Sequence, residues 1–150
     1  MSVWYNKHME EIDYNYENID VTHGRGYVYS LRYHMVWCTK YRKNVFGNGI
    51  AEEVKEHLLK TAEDLEIGIM AMEVMPDHIH LLIDCKPQCR LSDAVKVFKG
   101  NTARWLFMEH PELKKELRGG HLWNPSYFVV TVSERSSEQV RRYIEEQRTK

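Results

Sequence analysis

Residues 75 to 83 read Met75-Pro76-Asp77-His78-Ile79-His80-Leu81-Leu82-Ile83. Pro76 has no amide hydrogen to give a ladder, and Asp77 bonds readily to its own local backbone, so the pair predicts a turn. The apolar residues on either side predict strands over 67–75 and 78–85, which makes the stretch the middle of a hairpin. Side chains alternate faces along a strand. His78 and His80 therefore share one face, and Ile79, Leu81 and Ile83 share the other as core residues. Two imidazoles on one face can hold a divalent metal, and a metal can polarise a phosphate oxygen. The pair also fits two partly exposed histidines bonded to backbone or water, so the rest of the chain has to decide.

Outward from the hairpin the pattern is regular. Residues 27–41 predict one long strand, with Leu31, Tyr33, Met35 and Trp37 alternating against Arg32, His34, Val36 and Cys38. Residues 50–65 carry Ile50, Val54, Leu58, Ala62 and Leu65 at the spacing of an amphipathic helix. A second helix is expected over 91–110, capped by Ser92 and buried along Val95, Phe98, Thr102, Trp105 and Leu106. A polar connector follows over 111–120, then a fourth strand over 127–132. Ser136-x-x-Gln139 has the form of a capping box and opens a last helix through Gln147. Val140, Tyr143, Ile144 and Gln147 share one face of it, where a tyrosine also fits half-buried packing.

The order of elements predicts an α+β, ferredoxin-like split βαβ antiparallel sheet with an added C-terminal helix carrying Tyr143. In that topology the first and third strands are central and the second and fourth lie at the edges. The helices cover one face, and the other is left for ligands or a partner.

At 150 residues the chain predicts one domain, over 24–150, preceded by an acidic and aromatic extension over 1–23. Gly24-Arg25-Gly26 marks the boundary. The extension carries Lys7 against Glu10, Glu11, Asp13, Glu17 and Asp20, a balance of −4 in a chain whose total is −1. The basic residues of the remainder cluster around Lys40 and Arg42, around Lys99 and Arg104, and around Arg141 and Arg142. Such clusters can track a phosphate backbone, although each alone also fits a solvated face. Cys38, Cys85 and Cys89 form no disulfide framework, and the chain has neither a signal pattern nor a membrane-length apolar run. The expected compartment is the reducing cytoplasm, away from membranes.

Five blocks together resemble the single-tyrosine HUH transposases, the TnpA type encoded by small bacterial insertion sequences. They are Tyr33-His34-Met35-Val36-Trp37-Cys38-Thr39-Lys40-Tyr41-Arg42, Met72-Glu73-Val74-Met75-Pro76-Asp77-His78-Ile79-His80-Leu81-Leu82, Lys99-Gly100-Asn101-Thr102-Ala103-Arg104, Leu122-Trp123-Asn124-Pro125-Ser126-Tyr127 and Tyr143-Ile144-Glu145-Glu146-Gln147. The resemblance implies that His78 and His80 hold a divalent metal, Mg²⁺ or Mn²⁺, with Gln147 as third ligand. It implies Tyr143 as nucleophile, forming a 5′-phosphotyrosine with single-stranded DNA near a recognised hairpin. It implies a homodimer whose active sites are shared between subunits, and no nucleotide cofactor. By charge and block membership, Arg25, Lys40, Arg42, Lys99 and Arg104 are the expected DNA contacts. Three other readings compete: a domesticated HUH nuclease acting on repeated palindromes, a non-catalytic single-strand binding module, and a metal-dependent phosphohydrolase of small substrates.

Overall fold

The computed structural model describes residues 21–132, 142 and 144–147. The capping box at Ser136 and Gln139, Arg141 and Tyr143 lie outside the described residues.

Six strands and three α-helices are described. The strands are β1 (Thr22–Gly24), β2 (Tyr27–Tyr29), β3 (Arg32–Cys38), β4 (Gly68–Val74), β5 (His78–Asp84) and β6 (Phe128–Thr131). The helices are α1 (Ile50–Asp64), α2 (Leu91–Glu109) and α3 (Pro111–Glu116). β1 and β2 form a small hairpin, and the main sheet runs β4-β5-β3-β6 with all neighbours antiparallel. The two strands placed centrally by the sequence pattern are central, and the two placed at the edges are at the edges.

Alternation along β3 and β5 separates the two faces. Met35, Trp37, Ile79, Leu81 and Ile83 join Val54, Leu58, Val95, Phe98 and Leu106 of α1 and α2 in one core. Full burial of each such side chain contributes roughly 1.5–3 kcal/mol. Trp37 is the hub, stacked on Phe98 at 6.1 Å and edge-on to Trp123 at 6.0 Å. Along β4 the alternation breaks once. The ladder skips between Ile69 and Ala71, which leaves Met70 as the extra residue of a bulge.

Several sequence expectations are corrected. The long strand over 27–41 is two strands, because β2 pairs with β1 and Leu31 gives its carbonyl to Cys85 before β3 begins. Gly24-Arg25-Gly26 is consequently the turn region of a hairpin. Gly26 takes φ +85°, and a side chain at Gly24 would overlap the Tyr27 ring. Ser92 is no cap, since α2 starts at Leu91 with Arg90 before it. The polar connector contains α3, opened by Pro111 at a first-turn position where a missing amide costs nothing. A further difference concerns the face without α1 and α2. Residues 142 and 144–146 are helical, and Ile144 packs there on Ala71, Leu82 and Val132.

At the end of α2, the His110 imidazole meets Glu53 of α1 with Nε2 and Oε2 at 2.7 Å. The bond to Glu53 raises the His110 pKa, burial opposes it, and the charges of Glu53 and Glu112 add to the rise. A raised histidine adds stability below its ordinary value, and that stability is lost as pH rises through the raised one. Glu53→Gln is therefore expected to lower unfolding free energy by roughly 0.5 kcal/mol at pH 5.5 and by nothing measurable at pH 9 in urea titrations.

Candidate active site

His78 and His80 project from β5 on the face opposite α1 and α2. Their rings meet edge-to-face with centroids 4.8 Å apart. His80 is buried and His78 half-buried. The chain brings two fixed partners to these rings. Asp77 accepts from the Nδ1 of His78 at 2.6 Å, which leaves Nε2 as the nitrogen turned away from the carboxylate. Asp77 is itself held by Arg42, whose Nε lies 3.0 Å from Oδ2. Burial pushes the Asp77 carboxyl up, but the hydrogen bonds from His78 and Arg42 outweigh it and hold the group below its usual value. The second partner is His34 on β3, whose Nε2 lies 3.1 Å from the Nδ1 of His80. Burial, followed by the neighbouring His78 and His34, pushes His80 down to about 4, against an opposing pull from Glu73. The surroundings of His80 favour its neutral imidazole, the form that ligates metals.

The donor set thus fits the first two positions of a divalent metal site. Among the described residues, no group of three His, Cys, Asp or Glu side chains is placed to complete it. Gln147 comes near the hairpin from another direction. It lines a cavity of about 520 Å³ with Glu52, Lys55, Glu73, Val74, Met75 and Pro76, a lining that does not include the histidines. Glu73 connects the two places. It is the ladder partner of His80 and is ion-paired to Lys55 at 3.0 Å.

The loops around the histidines are locked to one another through the backbone. Thr39 donates its amide to Asp77 O at 2.9 Å and its hydroxyl to Lys43 O at 2.7 Å. Val45 and Phe46 both donate to Pro76 O. Lys40 donates to Leu122 O at 2.8 Å, and Asn124 donates to Cys38 O at 3.0 Å. Three of the five sequence blocks therefore meet at one end of the sheet. Between them Tyr41 and Arg42 take left-handed backbone, with φ 58° and 52°. Non-glycine residues hold that conformation at a cost and often at functional sites.

The expected DNA contacts fall in different places. Lys40 and Lys99 line a groove of about 450 Å³ with Phe107, His121, Trp123 and Pro125. The Lys99 amine is committed to the loop, donating to Asn124 O at 2.7 Å and Ser126 O at 3.3 Å. Burial lowers its pKa. Arg42 is tied to Asp77, Arg104 lies exposed on α2, and Arg25 lies exposed in the β1–β2 turn. Sequence reasoning missed the roles of His34, Asp77 and Glu73 around the histidines. Asp77 stood beside His78 in the motif and could have been found there. His34 and Glu73 required the register of β5 against its neighbours.

Comparison with known proteins identifies the family. Residues 27–147 match the IS200-like transposase family. The ISDra2 transposase TnpA of Deinococcus radiodurans is 46% identical over 132 residues, covering 88% of this chain and 94% of that protein. The transposase for insertion sequence element IS200 of Salmonella typhimurium is 29% identical over 119 residues, covering 79% of this chain and 78% of that one. A crystal structure from Deinococcus radiodurans R1 superposes with TM-score 0.70 at 47% identity, over 84% of this chain and 97% of that one. A REP-associated tyrosine transposase bound to a REP hairpin shares the fold, with TM-score 0.59 at 14% identity over 82% of this chain and 69% of that one. With a family match over most of its length and an ordered histidine pair on the central strand, this chain belongs to the IS200-like transposases.

Proposed function

We propose that this chain cuts and rejoins single-stranded DNA at the ends of an insertion sequence, through a 5′-phosphotyrosine on Tyr143. The carrying observation is the presentation of His78 and His80 on one face of β5, with Asp77 fixing the Nδ1 of His78. The relative matched over 94% of its length is an insertion-sequence transposase, which favours a mobile element's enzyme over a domesticated nuclease.

His78 and His80 would hold Mg²⁺ or Mn²⁺, with Gln147 as third donor. Such a cation, when bound, supplies Lewis-acid stabilisation of charge on the scissile phosphate. Asp77 keeps the proton of His78 on Nδ1 and the ring in one orientation. Tyr143 attacks as phenolate, since free phenol has a pKa near ~10 and is a weak nucleophile when protonated. Its oxygen forms a bond to phosphorus as the bond to the 3′ oxygen breaks, and that oxygen leaves as a 3′-hydroxyl after taking up a proton. A 3′-hydroxyl from another strand then attacks the phosphotyrosine, loses its proton and returns the phenolate. One phosphodiester is exchanged for another with no external energy source.

For hairpin recognition, the groove beside Lys40 supports a role in holding a DNA backbone against Trp123 and Phe107. Arg25, Arg42, Lys99 and Arg104 are further proposed contacts, with Lys99 first of all shaping the loop it donates to. Exposed Phe128 and Val130 on the edge strand β6 support association into a homodimer, in which the active sites would be shared between subunits.

Incubating the protein with labelled single strands from both flanks of its gene tests the chemistry. The expected product is a denaturation-resistant protein–DNA adduct that needs Mn²⁺ or Mg²⁺ and disappears in Tyr143→Phe. Cleavage surviving Tyr143→Phe would overturn the covalent mechanism. Asp77→Ala is expected to weaken Mn²⁺ binding by about 10–100-fold, as loss of a carboxylate behind a ligating histidine does, read by electron paramagnetic resonance titration.

A further inference from the structure

His34 lies one ladder step from the histidine pair. Its direct cross-strand partner is Leu82, and that of His80 is Val36, so His34 and His80 are diagonal neighbours on the same face. The His34 Nε2 and His80 Nδ1 are 3.1 Å apart, the ring centroids are 5.3 Å apart, and the planes differ by 14°. A ring nitrogen lies about 1.1 Å from its ring centre, so the centroid separation is nearly the nitrogen separation plus two such radii. The rings are therefore close to coplanar and meet nitrogen to nitrogen in line.

That geometry decides between two roles for His34. With the two lone-pair directions facing head-on, an ion between the nitrogens would sit at half of 3.1 Å from each, well short of the ~2.0–2.1 Å of a metal–imidazole bond. His34 and the Nδ1 of His80 are thus not co-ligands. They form one N–H···N hydrogen bond, and its single proton has two possible owners. If His34 owned it, the neutral His80 ring would carry its own proton on Nε2 and have no outward lone pair. If His80 owns it, Nε2 is the unprotonated nitrogen and His34 is the acceptor.

We propose that His34 is a positioning residue, which accepts the Nδ1 proton of His80 and so presents its Nε2 lone pair to a divalent cation. The proposal rests on the metal-site reading given above. It makes the two histidines equivalent in design, with Asp77 behind His78 and His34 behind His80. A neutral acceptor in the second place avoids setting another carboxylate beside Glu73, which is buried at the same rung of the ladder.

The test uses the full chain, labelled with ¹⁵N-histidine. Long-range proton–nitrogen correlation of the metal-free protein is expected to show His80 protonated at Nδ1. His34→Leu should release a population protonated at Nε2 and weaken Mn²⁺ binding by about 10–100-fold, while His34→Gln, whose amide oxygen can accept, should recover most of the affinity. Finding His80 protonated at Nε2 in the wild type would overturn the proposal. So would Mn²⁺ binding by His34→Leu within twofold of wild type, or equal losses in the Leu and Gln variants when near-ultraviolet circular dichroism shows both folded. His80→Ala separates the two readings. Wild-type Mn²⁺ affinity unchanged by His80→Ala would sink the metal site, and the tautomer in the metal-free chain would still decide what His34 does.

Discussion

Everything at this site depends on the antiparallel ladder between β3 and β5. It is the longest pairing in the sheet, running from Arg32 against Asp84 to Cys38 against His78. Its side chains on one side are Met35, Trp37, Ile79, Leu81 and Ile83, which with α1 and α2 make a close-packed core. Its side chains on the other side are His34, Val36, His78, His80 and Leu82. A slip of one residue would exchange the two sets, putting imidazoles among the helices and leucines in the site. The energy that fixes the register is therefore the same energy that aims the histidines.

The ends of the ladder are finished by backbone bonds between loops distant in sequence. Thr39 donates to Asp77 O, Lys40 to Leu122 O, and Asn124 to Cys38 O. Trp123 adds an apolar anchor, edge-on to Trp37 and tilted on Phe46, with its indole nitrogen donating to Lys99 O at 2.8 Å. The positive-φ pair Tyr41–Arg42 is held open by this clamp and places the Arg42 guanidinium on Asp77. Rigid support of this kind is what a preorganised site requires.

Much of the architecture was legible because period two and period 3.6 are strong signals in this chain. The faces of β3 and β5, the stripes of α1 and α2, and the hairpin turn at Pro76-Asp77 all follow from local pattern. Where local pattern was silent, the reading went astray. Leu31 looked continuous with the strand on either side, and only pairing with Thr22–Gly24 separates β2 from β3. Ser92 looked like a cap, but the helix begins one residue earlier. His34 was visible in the alternation, yet its meeting with His80 is a fact of register between strands 46 positions apart. Lys99 looked like a free cation, and what it touches is a loop 25 residues downstream.

The bulge in β4 has a meaning best put as parity. Ile69 and Val74 both join the helix-side core, although their positions differ by five and strict alternation would send them to opposite faces. One uncounted residue is thus compulsory between them, and Met70 is that residue. With it, the strand's first half and second half run in opposite phase, so Ile69 keeps its place under the helices while Glu73 arrives beside His80. The edge strand carries two messages in one reading frame, and the extra residue is the frameshift that lets both be read.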